Sequence, residues 1–335
     1  MAVRVSINGF GRIGRLALRS IIESGRKDIE VVAINGTAPV ETLVHLLKFD
    51  SIHGRFPGEI TYGPQMIDAG HGPMQLTSDR DPSKLPHKDM GIDIVLECTG
   101  KFTKKSAAMA HIEAGAKRVL VSSPCDDADL TVVYGVNHDK LTRDDIIVSN
   151  ASCTTNCLVP VAKVLNDHIG IEHGFMTTIH SYTGDQPTHD STHKDLYRAR
   201  AAALSMIPTK TGAAKAVGLV LPELAGKLDG SSIRVPTANV SVVDLKFTAK
   251  RATTKDEINS VIRRAAGQEL KGVLSYTDDP NVSVDFNHNS HSSIFHTMET
   301  KVIDGTFVRV LSWYDNEWGF SCRLVDTAVA MGKQI

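Results

Sequence analysis

The sequence has no apolar run of the roughly 20 residues that a membrane-spanning helix requires. It has no low-complexity segment and no short repeat, which excludes a disordered or solenoid architecture. Neither sign of charge is in excess. Lys+Arg 37 against Asp+Glu 38 gives a formal net charge of −1, so no bulk electrostatic force draws the chain to nucleic acid or a membrane surface. The cysteines Cys98, Cys125, Cys153, Cys157 and Cys322 are odd in number and lack zinc-type CxxC spacing. Free thiols in a reducing, cytoplasmic compartment are therefore expected. The 14 histidines show no HExxH or comparable ligand pattern, and no metal site is expected. Ala2–Asn8 reads as a strand followed at once by glycines, not as a signal peptide. What remains is an ordinary globular composition, 41% apolar and 22% charged, over 335 residues. That length fits two domains better than one.

The first 150 residues alternate strand and helix. Apolar strands are expected at Val3–Asn8, Glu30–Asn35, Asp93–Cys98, Arg118–Val121, Thr131–Tyr134 and Ile146–Asn150. Helices are expected at Arg12–Glu23, Val40–Lys48 and Lys104–Ala114. This alternation predicts a parallel, doubly wound sheet. The first strand runs into Gly9-Phe10-Gly11-Arg12-Ile13-Gly14, a G-x-G-x-x-G between strand and helix. Gly9 permits the tight turn, Gly11 lets the backbone approach a pyrophosphate, and Gly14 lets helix and strand pack closely. A plain glycine-rich turn is the weaker alternative in that context. The second strand ends in Asn35-Gly36-Thr37, where an NAD site usually carries a carboxylate for the ribose 2′-hydroxyl. Nothing there repels a 2′-phosphate, and Thr37 offers it a hydroxyl. No arginine is evident beside Gly36.

In the second half, Ser149–Cys157 follows a strand and opens a helix expected over Leu158–Asp167. Cys153 would then lie at a helix N-terminus, which favours the thiolate. Cys157 reads better as a buried small hydrophobe. His180 ends an apolar strand, Phe175–Ile179, and is the favoured base, with His173, His189 and His193 as rivals. Anion-binding groups follow: Arg198 and Arg200, then Thr209-Lys210-Thr211-Gly212 ahead of a helix, then Arg234. A last strand at Val310–Asp315 leads into a terminal helix, Asn316–Ala330.

Taken together, these motifs resemble the phosphorylating glyceraldehyde-3-phosphate dehydrogenases of bacterial type. The likeness covers essentially the whole chain, and Ser149–Cys157 and His180–Gln186 are its most specific parts. The resemblance implies a Rossmann domain over residues 1–150, an α+β catalytic domain with a mixed or antiparallel sheet over 151–315, and a C-terminal helix, 316–335, packing back on the first. It implies Cys153 as nucleophile and His180 as acid/base. It implies cofactor contacts from Arg12, Ile13, Arg80, Ser122 and Asn316, beside Gly9, Gly11, Gly14, Gly36 and Thr37. Two anion sites are implied: Thr183 and Arg234 for the substrate phosphate, and Ser152, Thr154, Arg198, Thr211 and Gly212 for the attacking phosphate. The reaction implied is oxidation of glyceraldehyde 3-phosphate through a cysteine thioester, with hydride transfer to NAD or NADP and release by inorganic phosphate. The family is homotetrameric, with an S-shaped loop over Thr178–Ala203 at an interface.

The sequence departs from that pattern in places. Gly36 replaces the usual Asp, Thr37 resembles the chloroplast pattern, and Ser191-Thr192 stands where NAD-specific members carry Leu-Pro. All three point toward tolerance of NADP. Pro187 and Tyr197 replace arginines usual in bacterial relatives. Erythrose-4-phosphate dehydrogenase is the nearest alternative. A non-phosphorylating aldehyde dehydrogenase or an interaction protein on an inactive scaffold fits the motifs less well.

Overall fold

The computed structural model describes residues 2–335. By internal contacts the chain divides into two compact units: the segment through Ser152 together with Ser321–Ile335, and Cys153–Phe320.

The first unit is a Rossmann-type layer structure. It contains β1 (Val3–Asn8), α1 (Arg12–Glu23), β2 (Ile29–Asn35), α2 (Val40–Lys48), β3 (Phe49–Asp50), β4 (Gly54–Arg55), β5 (Thr61–Gly63), β6 (Met66–Asp68), β7 (Pro73–Thr77), β8 (Ile94–Glu97), α3 (Lys105–Glu113), β9 (Arg118–Val121), β10 (Leu130–Thr131) and β11 (Ile147–Ser149). The sheet order is β10-β11-β9-β8-β1-β2-β7-β6-β5. It is parallel from β10 to β7, and β6 and β5 continue it antiparallel. The central strands are buried on both faces because helices cover both, which explains their unbroken Val/Ile/Leu runs. The strand expected at Thr131–Tyr134 is only Leu130–Thr131. The short strands from β3 to β7 carry too little alternation to be read from sequence. The core includes Val5, Ile7, Leu18, Ile34 and Leu96. Leu324, Val325, Ala328, Val329 and Met331 of the last helix join that same core. A Cβ at Gly332 would fall 2.1 Å from Val3 Cγ2, so only glycine fits there.

The second unit is built on a mixed sheet. Its elements are α4 (Cys153–His168), β12 (Ile171–Ser181), β13 (Ile207–Thr209), α5 (Ala213–Val220), β14 (Leu228–Val235), β15 (Ser241–Ala249), α6 (Lys255–Gly267), β16 (Leu274–Thr277), β17 (Ser293–His296), β18 (Lys301–Ile303), β19 (Phe307–Tyr314) and the start of α7 (Trp318–Gly332). The order is β13-β14-β12-β15-β19-β17-β16, with β18 on β19. β12 pairs parallel with β14 and antiparallel with β15. That central place puts His180, near the C-terminal end of β12, opposite Arg234 of β14.

Candidate active site

Two residues fix where α4 begins. Ser149 Oγ accepts the Ala151 N–H at 3.1 Å, and Ala151 takes the left-handed conformation, φ 56. An alanine there is strained, since its Cβ crowds the backbone. The chain turns sharply and the helix starts at Cys153, not at Leu158 as its apolar pattern suggested. Cys153 is thus the first helical residue.

Cys153 Sγ lies 3.5 Å from His180 Nε2. His180 Nδ1 is 2.7 Å from the Ser181 carbonyl. A carbonyl oxygen only accepts, so Nδ1 carries the proton and the neutral ring turns a bare Nε2 toward the thiol. Burial lowers the His180 pKa to about 3, helped by the nearby Arg234 charge. Burial also pushes the Cys153 thiol up, and Arg234 opposes that. The net direction at Cys153 is therefore upward, against the lowering expected from a helix start alone. The resting pair is a thiol facing a neutral acceptor, ready for proton transfer when charge develops on a bound substrate. Cys157 is fully buried against Ser293 and Ser312, and its thiol is pushed up to about 12 by desolvation. Among the rival histidines, His173 meets Thr248, and His193 meets Asp195 and, at 3.8 Å, Asp185. His189 is exposed.

Behind the pair, the Tyr314 hydroxyl is fully buried and bonds both Thr154 Oγ1 (2.8 Å) and Thr178 Oγ1 (2.9 Å). It ties the first turn of α4 to β12. Arg234 Nη1 donates to the Ser181 carbonyl and to Thr183 Oγ1, both at 2.9 Å, while its Nε is buried without a partner among the described residues. Arg198 donates to Thr209 Oγ1 at 3.0 Å and to Asp185 at 2.9 Å. Thr183 Oγ1 also bonds Asp185. The two arginines expected at separate anion sites are thus linked through Thr183 and Asp185. Thr211 Oγ1 accepts the Ala213 N–H at the start of α5, where Gly212 is exposed. Sequence reasoning missed Asp185, Tyr314 and Thr178. All three lie inside segments that had drawn notice, but nothing in those segments marked them as site residues.

In the first unit, an open cleft of about 360 Å³ is lined by Gly9, Gly11, Gly36, Thr37, Arg80 and Lys101, among others. Gly9 has φ +94, and a Cβ there would fall 2.7 Å from Thr99 N. A Cβ at Gly14 would fall 2.2 Å from Gly9 O, so the turn itself demands both glycines. Gly11 is different. A Cβ there would meet nothing within 4 Å, so the protein leaves open space at the head of α1. That end has no side-chain cap and no acidic residue in its first turn. The open backbone and unopposed helix dipole suit a pyrophosphate. Asn8 forms part of the cleft floor, held by Glu97 Oε2 at 2.5 Å. Arg80 and Lys101 bring positive charge into the same cleft as Gly36. Arg12 instead pairs with Asp50 at 3.2 Å. Ile13 packs on the core beneath α1. The Ser122 N–H, just past β9, donates to the Glu97 carbonyl at 3.0 Å. Asn316 lies in the second unit, its Oδ1 2.9 Å from Ser241 Oγ.

A Rossmann unit with this glycine turn, followed by a unit that pairs a thiol with an imidazole, defines a nicotinamide-dinucleotide-dependent oxidoreductase. Residues 3–105 match the family model for the glyceraldehyde 3-phosphate dehydrogenase NAD binding domain, and residues 152–316 match the model for the C-terminal domain of the same enzymes. The chain is 72% identical to glyceraldehyde-3-phosphate dehydrogenase of Xanthobacter flavus and 68% identical to that of Cereibacter sphaeroides, over 99% of each chain. It is 52% identical to the Geobacillus stearothermophilus enzyme, over 100% of this chain and 99% of the relative. The chain belongs to the glyceraldehyde-3-phosphate dehydrogenase family.

Proposed function

We propose that this chain oxidises D-glyceraldehyde 3-phosphate to 1,3-bisphosphoglycerate, with Cys153 as nucleophile and His180 as its acid/base partner. The observation that carries the assignment is the 3.5 Å approach of Cys153 Sγ to an unprotonated His180 Nε2. Cys153 passes its proton to Nε2 as sulfur attacks the aldehyde carbon, and Nε2 then gives that proton to the former carbonyl oxygen, forming a neutral hemithioacetal and freeing Nε2 again. His180 then takes the hemithioacetal hydroxyl proton while the carbon is oxidised to the thioester. NAD, when bound, supplies the hydride acceptor for that oxidation. Inorganic phosphate attacks the thioester carbon, and the C–S bond breaks to return Cys153 as thiolate. The Cys153 N–H at the head of α4 and the protonated His180 stabilise the oxyanions.

Thr183 and Arg234 hold the substrate phosphate, and Arg198, Thr211 and Gly212, with Ser152 and Thr154, hold the attacking phosphate. The buried, unpartnered Arg234 Nε supports an anion in that place. Gly9, Gly11, Gly14, Gly36, Thr37 and Arg80 hold the cofactor, with Arg12, Ile13, Ser122 and Asn316 completing its site. Residues 1–150 are assigned to cofactor binding and 151–315 to catalysis, with 316–335 returning to the first. The enzyme works in the cytoplasm as a homotetramer. Leu196, Leu204 and Met206 are 83%, 81% and 77% exposed within one loop, and such a cluster of bared apolar groups favours a protein partner.

The test is NADH formation by the full chain with and without inorganic phosphate, using glyceraldehyde 3-phosphate or erythrose 4-phosphate. The assignment requires phosphate-dependent turnover with the three-carbon substrate. Equal rates without phosphate, or preference for erythrose 4-phosphate, refute it.

A further inference from the structure

The β12–β15 ladder ends at Ile179↔Val242. Beyond it β12 and β15 no longer pair with each other, where Val240 takes φ 68, a conformation that a β-branched residue resists. Two hydroxyls take over. Ser181 Oγ donates to the Val240 carbonyl at 2.8 Å, and the Ser181 N–H donates to Ser241 Oγ at 3.0 Å. Ser181 and Ser241 are both buried. Ser181 is thereby held by both its N–H and its hydroxyl, and its carbonyl is the atom that accepts from His180 Nδ1 and from Arg234 Nη1.

Ser241 has one more contact. Its Oγ lies 2.9 Å from Asn316 Oδ1. Having accepted the Ser181 N–H, the hydroxyl has one proton to give, and Asn316 Oδ1 receives it. That bond fixes the amide, leaving the Asn316 NH2 as the end still able to donate. We propose that Ser241 is a positioning residue whose single hydroxyl sets both the His180 tautomer, through Ser181, and the orientation of the Asn316 amide. The inference rests on the thiol–imidazole chemistry and the Asn316 cofactor contact proposed above. It adds that base and amide are held in register by one side chain on β15. Strain at Val240 is tolerated because both hydroxyl bonds depend on that backbone shape.

Charged and titratable groups around the His180 ring come from every element packed on it: Cys153 from α4, Arg234 from β14, Tyr314 from β19, and Asp185 and Arg198 from the segment after β12. None of them touches Ser241 in the hydrogen-bond network, so Ser241 variants change no charge there. The experiment uses full-length Ser241→Ala, Ser241→Cys and Ser241→Thr. Two readouts are taken without turnover: the pH dependence of Cys153 alkylation in cofactor-free enzyme, and NAD binding by fluorescence quenching. Alanine and cysteine, which lack a strong hydroxyl donor, should weaken NAD about 5–10-fold, as for loss of one well-formed hydrogen bond. They should also raise the alkylation midpoint by about half a pH unit or more, because the imidazole is no longer held as an acceptor. Threonine keeps the hydroxyl and should restore both. If the alanine protein does not fold, the near-isosteric cysteine protein carries the test. Wild-type NAD affinity and an unmoved midpoint in the cysteine protein overturn the proposal. So does a pattern that follows side-chain size, with threonine impaired and cysteine normal. Failure of the underlying chemistry looks different: Cys153→Ser would then remain active whatever Ser241 does.

Discussion

Replacing Gly36 with aspartate tests how the first unit chooses between NAD and NADP. Its backbone lies outside the left-handed region, so an L side chain is allowed. The new Cβ would fall 2.9 Å from Leu43 Cδ1 and 3.5 Å from Phe10 Cβ. Only the tip of Leu43 must move, and shifting its rotamer costs about 0.5–1.5 kcal/mol. Bonds from ribose hydroxyls to a carboxylate return about 1.5–3 kcal/mol. The net gain for NAD is then about 0–2.5 kcal/mol, or roughly 1–70-fold in kcat/KM. The same carboxylate repels a 2′-phosphate, and near ε of about 20 a unit pair at a few ångströms is worth several kcal/mol before salt screening. A further tenfold loss for NADP is a conservative figure, since Arg80 and Lys101 in the cleft offset part of the repulsion. Asp79 already lines the cleft, but its Oδ1 accepts the Asp81 N–H at 2.9 Å. The NADP/NAD ratio of kcat/KM should therefore fall at least about tenfold in Gly36→Asp. Initial rates with each cofactor at saturating aldehyde and phosphate measure it. A change below about five-fold, or a wild type that already rejects NADP as firmly as the variant, refutes the reasoning.

Cys153→Ser should abolish turnover while cofactor binding persists, whereas Cys157→Ser should lower thermal stability and leave the chemical step nearly intact; rates and melting curves on the same samples decide. His180→Asn should slow the oxidation step by about 10²–10⁴-fold and shift Cys153 alkylation to higher pH, and an unchanged alkylation profile would mean that another group serves as acceptor. Arg234→Leu should raise KM for the aldehyde phosphate and Thr211→Ala the KM for inorganic phosphate, but the Thr183–Asp185 link predicts some crossover in the arginine variant; two unchanged KM values would discard the anion-site assignment. Against the cost of burial, the His53 and Ile52 N–H groups and the Arg12 guanidinium hold the Asp50 carboxyl down to about 2, below its ordinary 3.8. Its contribution is present in full above pH 3.8 and fades as pH falls through 2. Asp50→Asn should cost about 1–2 kcal/mol at neutral pH after allowance for solvent screening, with wild type and variant converging near the acid end of a stability titration.

Chemistry carried by consecutive residues was legible in the sequence. The glycine turn, Cys153 at a helix start and His180 at a strand end each depend on a few neighbouring positions. The central first-unit strands were legible too, because burial on both faces leaves unbroken apolar runs. The second unit was harder. β12 is read as Phe175–Ile179 from its apolar centre, yet it extends over Ile171–Ser181 because pairing on both sides carries its polar ends along. Tyr314 meets Thr154 across 160 positions and Ser181 meets Ser241 across 60, and no local pattern announces a bond made by topology. The direction of the Cys153 shift was misjudged for a related reason: a helix start is visible in sequence, but the desolvation opposing it comes from distant strands.

The last helix has a consequence for how the molecule is made. β1 is made before the second unit, while Leu324, Val325 and Ala328, which complete the same core, are made after it. At about 5–20 residues per second, translation of the intervening second unit takes roughly 8–34 s. Throughout that interval the nascent first unit exposes the apolar face that the helix will cover. Holdase chaperones have their opportunity there. A nonsense codon or a proteolytic nick near Phe320 would leave every residue of the Gly9–Gly36 cleft in place, yet remove the plug beneath it. Such a truncated chain should be cleared by quality control, not accumulate as an inactive enzyme.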